Sequence, residues 1–128
     1  MRGRQKFFVC GRCGNLVGLI CDNGAPMQCC GEPLKELVPN TADAAGEKHL
    51  PVVSKAGGKF AVNVGSVPHP MEEGHHIKFV FVETDRGGHR KGLSAGEAPK
   101  AEFCFAGDGP VAAYAYCNLH GLWKTDEV

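Results

Sequence analysis

The chain has 128 residues, and its 14 basic and 14 acidic side chains leave no net formal charge at neutral pH. That balance argues against nucleic-acid binding, which depends on basic patches. No segment approaches the roughly 18 apolar residues of a membrane helix, and the opening MRGRQKFFV lacks the apolar stretch of a signal peptide. We therefore expect a cytoplasmic protein of one or two small domains, with neither a nucleic-acid nor a membrane partner.

Cysteine is unusually frequent, with seven residues, and an odd number cannot all be paired in disulfides. In a reducing compartment, clustered cysteines are typical metal ligands. A CxxC motif at Cys10 and Cys13 is followed by the adjacent pair Cys29 and Cys30. Two such pairs predict a four-cysteine metal knuckle, for which zinc and iron both fit. Neighbouring side chains diverge, so the adjacent pair predicts a distorted tetrahedron, and Cys21 is predicted not to be a ligand.

A polar stretch at 39–46 predicts a linker, so we place a domain boundary near residue 40 and expect modules at 1–38 and 39–128. Beyond it, apolar residues alternate with period two and are separated by Gly- and Pro-containing turns, which favours an antiparallel β-sandwich. The alternating sets are Phe60, Val62 and Val64; Ile77, Phe79 and Phe81; Phe103 and Phe105; and Tyr114 and Tyr116. Cys104 falls inside the third set and is predicted to be a buried free thiol.

Histidines and one further cysteine form a second candidate site. Cys117 and His120 lie three residues apart at the expected end of the last strand. His49 follows the linker, and His69 is held rigidly between two prolines. His75 and His76 open a strand and point to opposite faces, and the alternation does not choose between them.

The mixture of one thiolate and four imidazoles indicates the metal. Zinc prefers a closed set of four ligands. Five ligands of this mixture leave one open octahedral position on iron, which favours a redox iron site.

Together, these motifs resemble the desulfoferrodoxin family over nearly the whole chain. The N-terminal CxxC and CCGEP (29–33) are similar to its desulforedoxin-type module. Its neelaredoxin-type domain is matched by EKHLP (47–51), by GSVPHPMEE (65–73) followed by His75, and by YCNLHG (116–121).

The resemblance implies a mainly β protein, with a small rubredoxin- or desulforedoxin-like iron knuckle followed by an immunoglobulin-like sandwich, in a homodimer. It implies two iron ions per chain. The first would be held by Cys10, Cys13, Cys29 and Cys30. The second would be held by four equatorial histidines, His49, His69, His75 and His120, with Cys117 as the axial thiolate.

The implied activity is superoxide reduction to hydrogen peroxide, with electrons from an external donor such as rubredoxin. Lys48 is expected to attract the superoxide anion and to orient a proton-donating water. Glu47 is expected to become a sixth ligand of ferric iron. His76, Cys21, Cys104 and His89 match no ligand of the family.

Two other functions remain open from the residues alone. One is an iron-binding electron-transfer protein without superoxide turnover, in which the four-cysteine iron is the working site. The other is a zinc-knuckle interaction protein whose histidines are surface residues. The visible spectrum and the metal content of the purified protein would separate all three.

Overall fold

A computed structural model describes residues 5–126 and 128. Residues 1–4, at the start of the first predicted module, and residue 127 lie outside this description. The chain folds into two compact units that divide between Val38 and Pro39. In the described residues, one four-residue helix is accompanied by twelve β-strands. This confirms the mainly β prediction.

The N-terminal unit contains five short strands. A three-stranded sheet has the order β2-β1-β5, and a two-residue hairpin pairs β3 with β4. The bounds are β1 (Lys6–Val9), β2 (Leu16–Leu19), β3 (Gln28–Cys29), β4 (Glu32–Pro33) and β5 (Lys35–Glu36). A unit this small buries few side chains, so cross-links such as metal ligands are the usual way to stabilise it.

The second unit is an antiparallel sandwich of a three-stranded sheet, β10-β7-β6, and a four-stranded sheet, β12-β11-β8-β9. This order is immunoglobulin-like, with β9 added to the edge of the second sheet. The helix is α1 (Gly46–His49). The strands are β6 (Pro51–Ala56), β7 (Lys59–Val64), β8 (Ile77–Thr84), β9 (Gly87–Gly92), β10 (Lys100–Phe103), β11 (Pro110–Cys117) and β12 (Gly121–Asp126).

Alternating side chains from both sheets fill the core of the sandwich, as the period-two pattern predicts. Phe60, Val62 and Val64 of β7 are buried there, and so are Val80 and Val82 of β8. Each fully buried valine or phenylalanine contributes roughly 1.5–3 kcal/mol relative to an exposed position. The core therefore gives the sandwich a rigid frame from which its loops can be positioned.

Two local predictions are wrong. Cys104 lies beyond the end of β10 and is exposed, so it is not a buried thiol inside a strand. β11 is not the last strand, because β12 follows and pairs antiparallel with it, with Cys117 opposite Gly121. The second error matters for the site, because it places His120 in a tight β11–β12 turn.

One end of the sandwich collects the ends of five strands. Pro51 at the start of β6 pairs with Val64 at the end of β7, and Ile77 at the start of β8 pairs with Cys117 at the end of β11. The turn into β12 lies beside them. All five predicted ligands of the second iron lie at or next to these strand ends, so the topology brings together residues that are up to 71 positions apart.

Candidate metal centres

The four cysteines of the N-terminal unit converge, because their sulfur atoms all lie within 4.8 Å of one another. Cys13 Sγ lies 3.6 Å from Cys29 Sγ, which is 3.9 Å from Cys30 Sγ. These separations exceed the about 2.05 Å of a disulfide bond. They suit four thiolates around one tetrahedral ion.

The adjacent pair converges because the backbone reverses between β3 and β4. Cys30 and Gly31 form a two-residue turn with positive φ angles of 55° and 74°. Such a turn requires two left-handed residues, which glycine adopts freely and cysteine only at some cost. The left-handed Cys30 turns its sulfur toward that of Cys29, so divergence of neighbouring side chains does not prevent shared ligation.

The thiols of this cluster have unequal acidities. Backbone N–H groups of Cys13 and Arg12 donate to Cys10 Sγ, both at 3.4 Å, and lower the pKa of Cys10 to about 6. Hydrogen bonds with the sulfurs of Cys10 and Cys13 raise the pKa of Cys29 to about 12. The Cys10 sulfur is therefore ready to bind a cation at neutral pH, whereas Cys29 loses its proton only when a cation compensates its charge.

The second group lies at the loop end of the sandwich and contains His49, His69, His75 and Cys117, whose ligand atoms also lie within 4.8 Å of one another. His49 Nε2 lies 3.2 Å from His69 Nε2 and 3.2 Å from His120 Nδ1. Nitrogen ligands about 2.1 Å from one metal and at right angles to each other lie about 3 Å apart. His120 therefore joins the group through Nδ1.

The four imidazole rings occupy the corners of a square. Neighbouring ring centroids are separated by 4.6 Å for His49–His69, 4.7 Å for His69–His75, 5.1 Å for His75–His120 and 4.9 Å for His120–His49. His49 and His75 lie across the diagonal, 6.5 Å apart. Neighbouring rings are tilted by 73° to 88°, so each can direct a nitrogen inward without a clash.

The sulfur of Cys117 reaches this square from the hydrophobic core. Cys117 has no exposed surface, belongs to the buried core cluster, and has Sγ 3.9 Å from His120 Nδ1. A fifth ligand from the core side leaves the opposite side of the square for another group. This arrangement has the four-nitrogen, one-sulfur form that octahedral iron with one open position requires.

Hydrogen bonds orient two of the imidazoles for metal binding. Nδ1 of His49 donates to the Ala45 carbonyl at 2.7 Å, and Nδ1 of His69 donates to the Pro70 carbonyl at 2.6 Å. With their protons on Nδ1, the two Nε2 atoms face each other with lone pairs, an unfavourable contact unless a cation lies between them. Backbone carbonyls hold metal-binding histidines in this way in many proteins.

Burial keeps these rings neutral. It lowers the pKa of His69 to about 4, and it also lowers the pKa of His49. Both imidazoles are therefore uncharged at neutral pH, with one nitrogen free of a proton, which is the form that binds metal.

The structure distinguishes His75 from His76. His75 Nε2 is buried and is the one such side-chain atom among the described residues that has no hydrogen-bond partner. His76 is turned away, with Nδ1 donating to the Glu72 carbonyl at 3.0 Å. An unpartnered buried nitrogen is costly in the absence of a ligand, so it fits a metal at this position. Both residues precede β8, which begins at Ile77.

Glu47 and Lys48 lie in α1 with exposed side chains, next to the buried His49. In the described part of the chain, neither side chain makes an ion pair or a side-chain hydrogen bond. Their backbone is fixed, because Val67 N–H and the Ser66 hydroxyl donate to the Glu47 carbonyl at 3.0 and 3.3 Å. The helix therefore presents one free cation and one free anion beside the square of imidazoles.

Gly65 permits the close packing that places α1 there. Its φ is +87°, and a Cβ at this position would lie 2.7 Å from the Lys48 carbonyl oxygen and would also clash with the Val67 carbonyl. Any larger residue would push the end of β7 away from α1.

Two supporting residues were not anticipated from the sequence. Trp123 stacks on His49 at 4.8 Å, and its Nε1 donates to the His120 carbonyl at 3.1 Å. Asn118 hydrogen-bonds to the segment that carries His75. Trp123 is the only tryptophan of the chain, and Asn118 lies inside the YCNLHG motif, which were the signals available.

Cys21 and Cys104 are exposed and belong to neither ligand group. Fold and ligand groups together define a class: a β protein with a four-cysteine metal knuckle and a histidine–cysteine metal centre on an immunoglobulin-like sandwich. The two groups fit the two iron ions of the desulfoferrodoxin family.

Comparison with known proteins identifies the family. Residues 41–126 match the family model for desulfoferrodoxin. The chain is 44% identical over 126 residues to desulfoferrodoxin of Nitratidesulfovibrio vulgaris, covering 98% of this chain and 99% of that protein. It is 46% identical to a desulfoferrodoxin homolog of Archaeoglobus fulgidus, covering 94% of this chain and 96% of that protein.

A solved structure agrees over both units. The crystal structure of the superoxide reductase from Treponema pallidum superimposes with a TM-score of 0.81 at 37% identity, covering 97% of this chain and all of that one. The chain belongs to the desulfoferrodoxin family.

Proposed function

We propose that this protein is a superoxide reductase that converts superoxide, one electron and two protons into hydrogen peroxide. The observation that carries the proposal is the square of four imidazoles with Cys117 entering from the core. Relatives in its family and a solved structure that bears the name superoxide reductase support it.

His49, His69, His75, His120 and Cys117 would hold the working iron, and Cys10, Cys13, Cys29 and Cys30 would hold the other. Bound iron supplies one-electron redox chemistry that side chains alone lack. The N-terminal unit would thus be the desulforedoxin-like module, and the sandwich the neelaredoxin-like one.

The exposed residues of α1 provide the polar chemistry around the reaction. Lys48 places an unpaired positive charge beside the site, which would raise the local superoxide concentration and orient a water that donates protons. Glu47 would supply a carboxylate ligand in the oxidised state. Burial of Cys117 excludes water from the sulfur side, so protons would arrive from the opposite, open side of the square.

We further propose that the protein works in the cytoplasm as a homodimer, with a rubredoxin-like electron donor. All seven cysteines are free thiols, which supports a reducing compartment. No helix in the described ranges is both long and apolar enough to cross a membrane.

The test is the stoichiometry of the reaction. The reduced protein should yield one hydrogen peroxide for each superoxide consumed and release no oxygen. A dismutase would yield one peroxide for every two superoxides, and that ratio would overturn the proposal. An electron-transfer protein without superoxide turnover would remain reduced after the superoxide dose and yield no peroxide beyond spontaneous dismutation.

A further inference from the structure

The side-chain amide of Asn118 bridges two segments that carry ligands of the histidine–cysteine centre. Its Oδ1 accepts a hydrogen bond from the His76 N–H at 2.9 Å, and its Nδ2 donates to the Gly74 carbonyl at 3.0 Å. The backbone N–H of Asn118 donates to the His76 carbonyl at 3.2 Å. Three hydrogen bonds therefore attach Asn118 to the peptide groups on both sides of His75.

The backbone groups of His75 itself are bound elsewhere. Its N–H donates to the Glu72 carbonyl at 3.1 Å, and its carbonyl accepts from the Glu72 N–H at 2.9 Å. This pairing closes the turn that carries His75 but does not attach it to β11. The β8–β11 pairing reaches only as far as Ile77, opposite Cys117, and Asn118 extends the attachment to both sides of His75, so it helps to set the distance from His75 to the end of β11.

The position of Asn118 in the chain connects this attachment to two further ligands, Cys117 and His120. Asn118 follows the buried Cys117 directly and precedes His120 by two residues in the same turn. Fixing its side chain to Gly74 and His76 thus fixes three of the five ligand positions relative to one another. The buried His75 Nε2, which has no partner, is held toward the same point.

We propose that Asn118 is a positioning residue that holds His75 in register with Cys117 and His120 before metal binds. The inference rests on the proposed metal centre but not on superoxide as the substrate. Asparagine suits the role because its one side-chain amide offers both an acceptor for the His76 N–H and a donor for the Gly74 carbonyl. Aspartate would still accept the hydrogen bond from the His76 N–H. Its second oxygen would face the Gly74 carbonyl oxygen, however, and two acceptors repel each other.

The experiment measures iron release to a chelator from the full-length, iron-loaded protein, with the absorption spectrum of each centre as the readout. Asn118→Ala should release the histidine–cysteine iron about tenfold faster, since loss of outer contacts to metal ligands typically costs 10- to 100-fold in affinity. The visible absorption band of the histidine–cysteine centre should also shift in this variant. Release from the four cysteines should be unchanged, and Asn118→Asp should give an intermediate rate.

Two control variants separate positioning from general stability. Leu119→Ala alters the same turn at a side chain that is 60% exposed. Asn40→Ala removes a similar two-bond amide, which joins the Lys124 N–H and carbonyl at 2.9 and 3.1 Å. Asn40→Ala should lower the melting temperature, and both controls should keep the wild-type spectrum and release rate.

The outcomes are distinguishable. Release from Asn118→Ala within twofold of wild type, or equal acceleration by Asn40→Ala, would overturn the positioning role alone. If Asn118→Ala does not fold, Asn118→Asp decides: iron release more than twofold faster than wild type supports the role, and release within twofold of wild type with an unshifted band overturns it. A wild-type protein that takes up no second metal would overturn the proposed centre itself.

Discussion

The two ligand groups of this protein differ in how the chain builds them. The four cysteines lie within 21 residues on two short turns, and two of them are exposed. The histidine–cysteine group takes ligands from residues up to 71 positions apart, and His49, His69 and Cys117 are buried. The first group depends on local turns and N–H donors to sulfur, whereas the second depends on the whole sandwich.

The two groups also differ in whether their ligands leave room for a substrate on the metal. Four thiolates around one ion complete a tetrahedron and leave no position for a substrate, which suits electron storage or a structural role. Four imidazoles in a square with one sulfur from the core leave a side free. Exposure at the first group and burial at the second therefore do not indicate which one is reactive; the number and arrangement of ligands do.

The largest effects are expected when one ligand is removed from each group, which tests whether the two centres are independent. Cys13→Ser should lower the iron content from two per chain toward one and leave the spectrum of the second centre intact, because the ligand sets share no residue. Cys117→Ser should do the reverse and abolish the sulfur-to-iron charge-transfer band of the oxidised second centre. Metal analysis and visible spectroscopy check both.

A variant that lost both metals would show that the centres are not independent. A charge-transfer band that survived in Cys117→Ser would show that Cys117 is not the sulfur ligand. Serine is the appropriate replacement in both cases, because it keeps the size of the side chain and removes the thiolate.

A second prediction concerns the charge beside the square. Lys48→Ala should slow the reaction with superoxide by about tenfold and weaken its dependence on ionic strength, because steering by a local charge raises association rates by ten-fold or more. The iron content of both centres should not change. Stopped-flow or pulse-radiolysis kinetics at several salt concentrations provide the measurement.

Lys59→Ala is the matched control, because Lys59 is an exposed lysine at the far end of β7. It removes the same charge away from the site and should react at the wild-type rate. Equal slowing in the two variants would mean that net charge, and not the position of Lys48, governs the rate.

The smallest expected effect is a pH dependence confined to the sandwich of the metal-free protein. The folded-state pKa of His69, about 4, lies below its ordinary value of 6.5. Between these values the unfolded chain binds more protons, so the free energy of unfolding should fall as pH drops from about 6.5 toward 4. It should be level above that window. One histidine contributes at most about 1.4 kcal/mol per pH unit.

Urea unfolding followed by Trp123 fluorescence measures this effect in the sandwich alone, because Trp123 is the only tryptophan. His69→Asn should flatten the slope, although His49, whose pKa is also lowered by burial, retains a share of it. An unchanged slope in His69→Asn would remove His69 as a cause. The N-terminal unit has no tryptophan and does not contribute to the signal.

Much of this protein was predictable from its sequence, for reasons tied to particular residues. The CxxC and CC pairs predict a local cluster because few residues separate the ligands within each pair. The alternation of Phe60, Val62 and Val64 predicts a half-buried strand, since side chains alternate between the faces of a sheet. The sandwich follows from several such strands separated by turn residues.

The two wrong predictions about the strands also have reasons tied to particular residues. Cys104 continues an alternating pattern with Phe103 and Phe105, but strand pairing ends at Phe103, and no feature of the pattern marks that end. β12 contains Leu122 and Trp123 side by side, both buried, so it lacks the alternation that would have revealed it.

The sequence by itself determined the ligand types, the local cysteine turns and the period-two core. Only the tertiary structure decided which ring nitrogens converge, because convergence depends on five strand ends meeting at one end of a sandwich. For the choice of His75 over His76, which the sequence made only through family resemblance, it supplied a physical reason, the buried and unpartnered His75 Nε2. It also gave roles to Trp123 and Asn118, because a hydrogen bond between distant segments leaves no periodic trace in the chain.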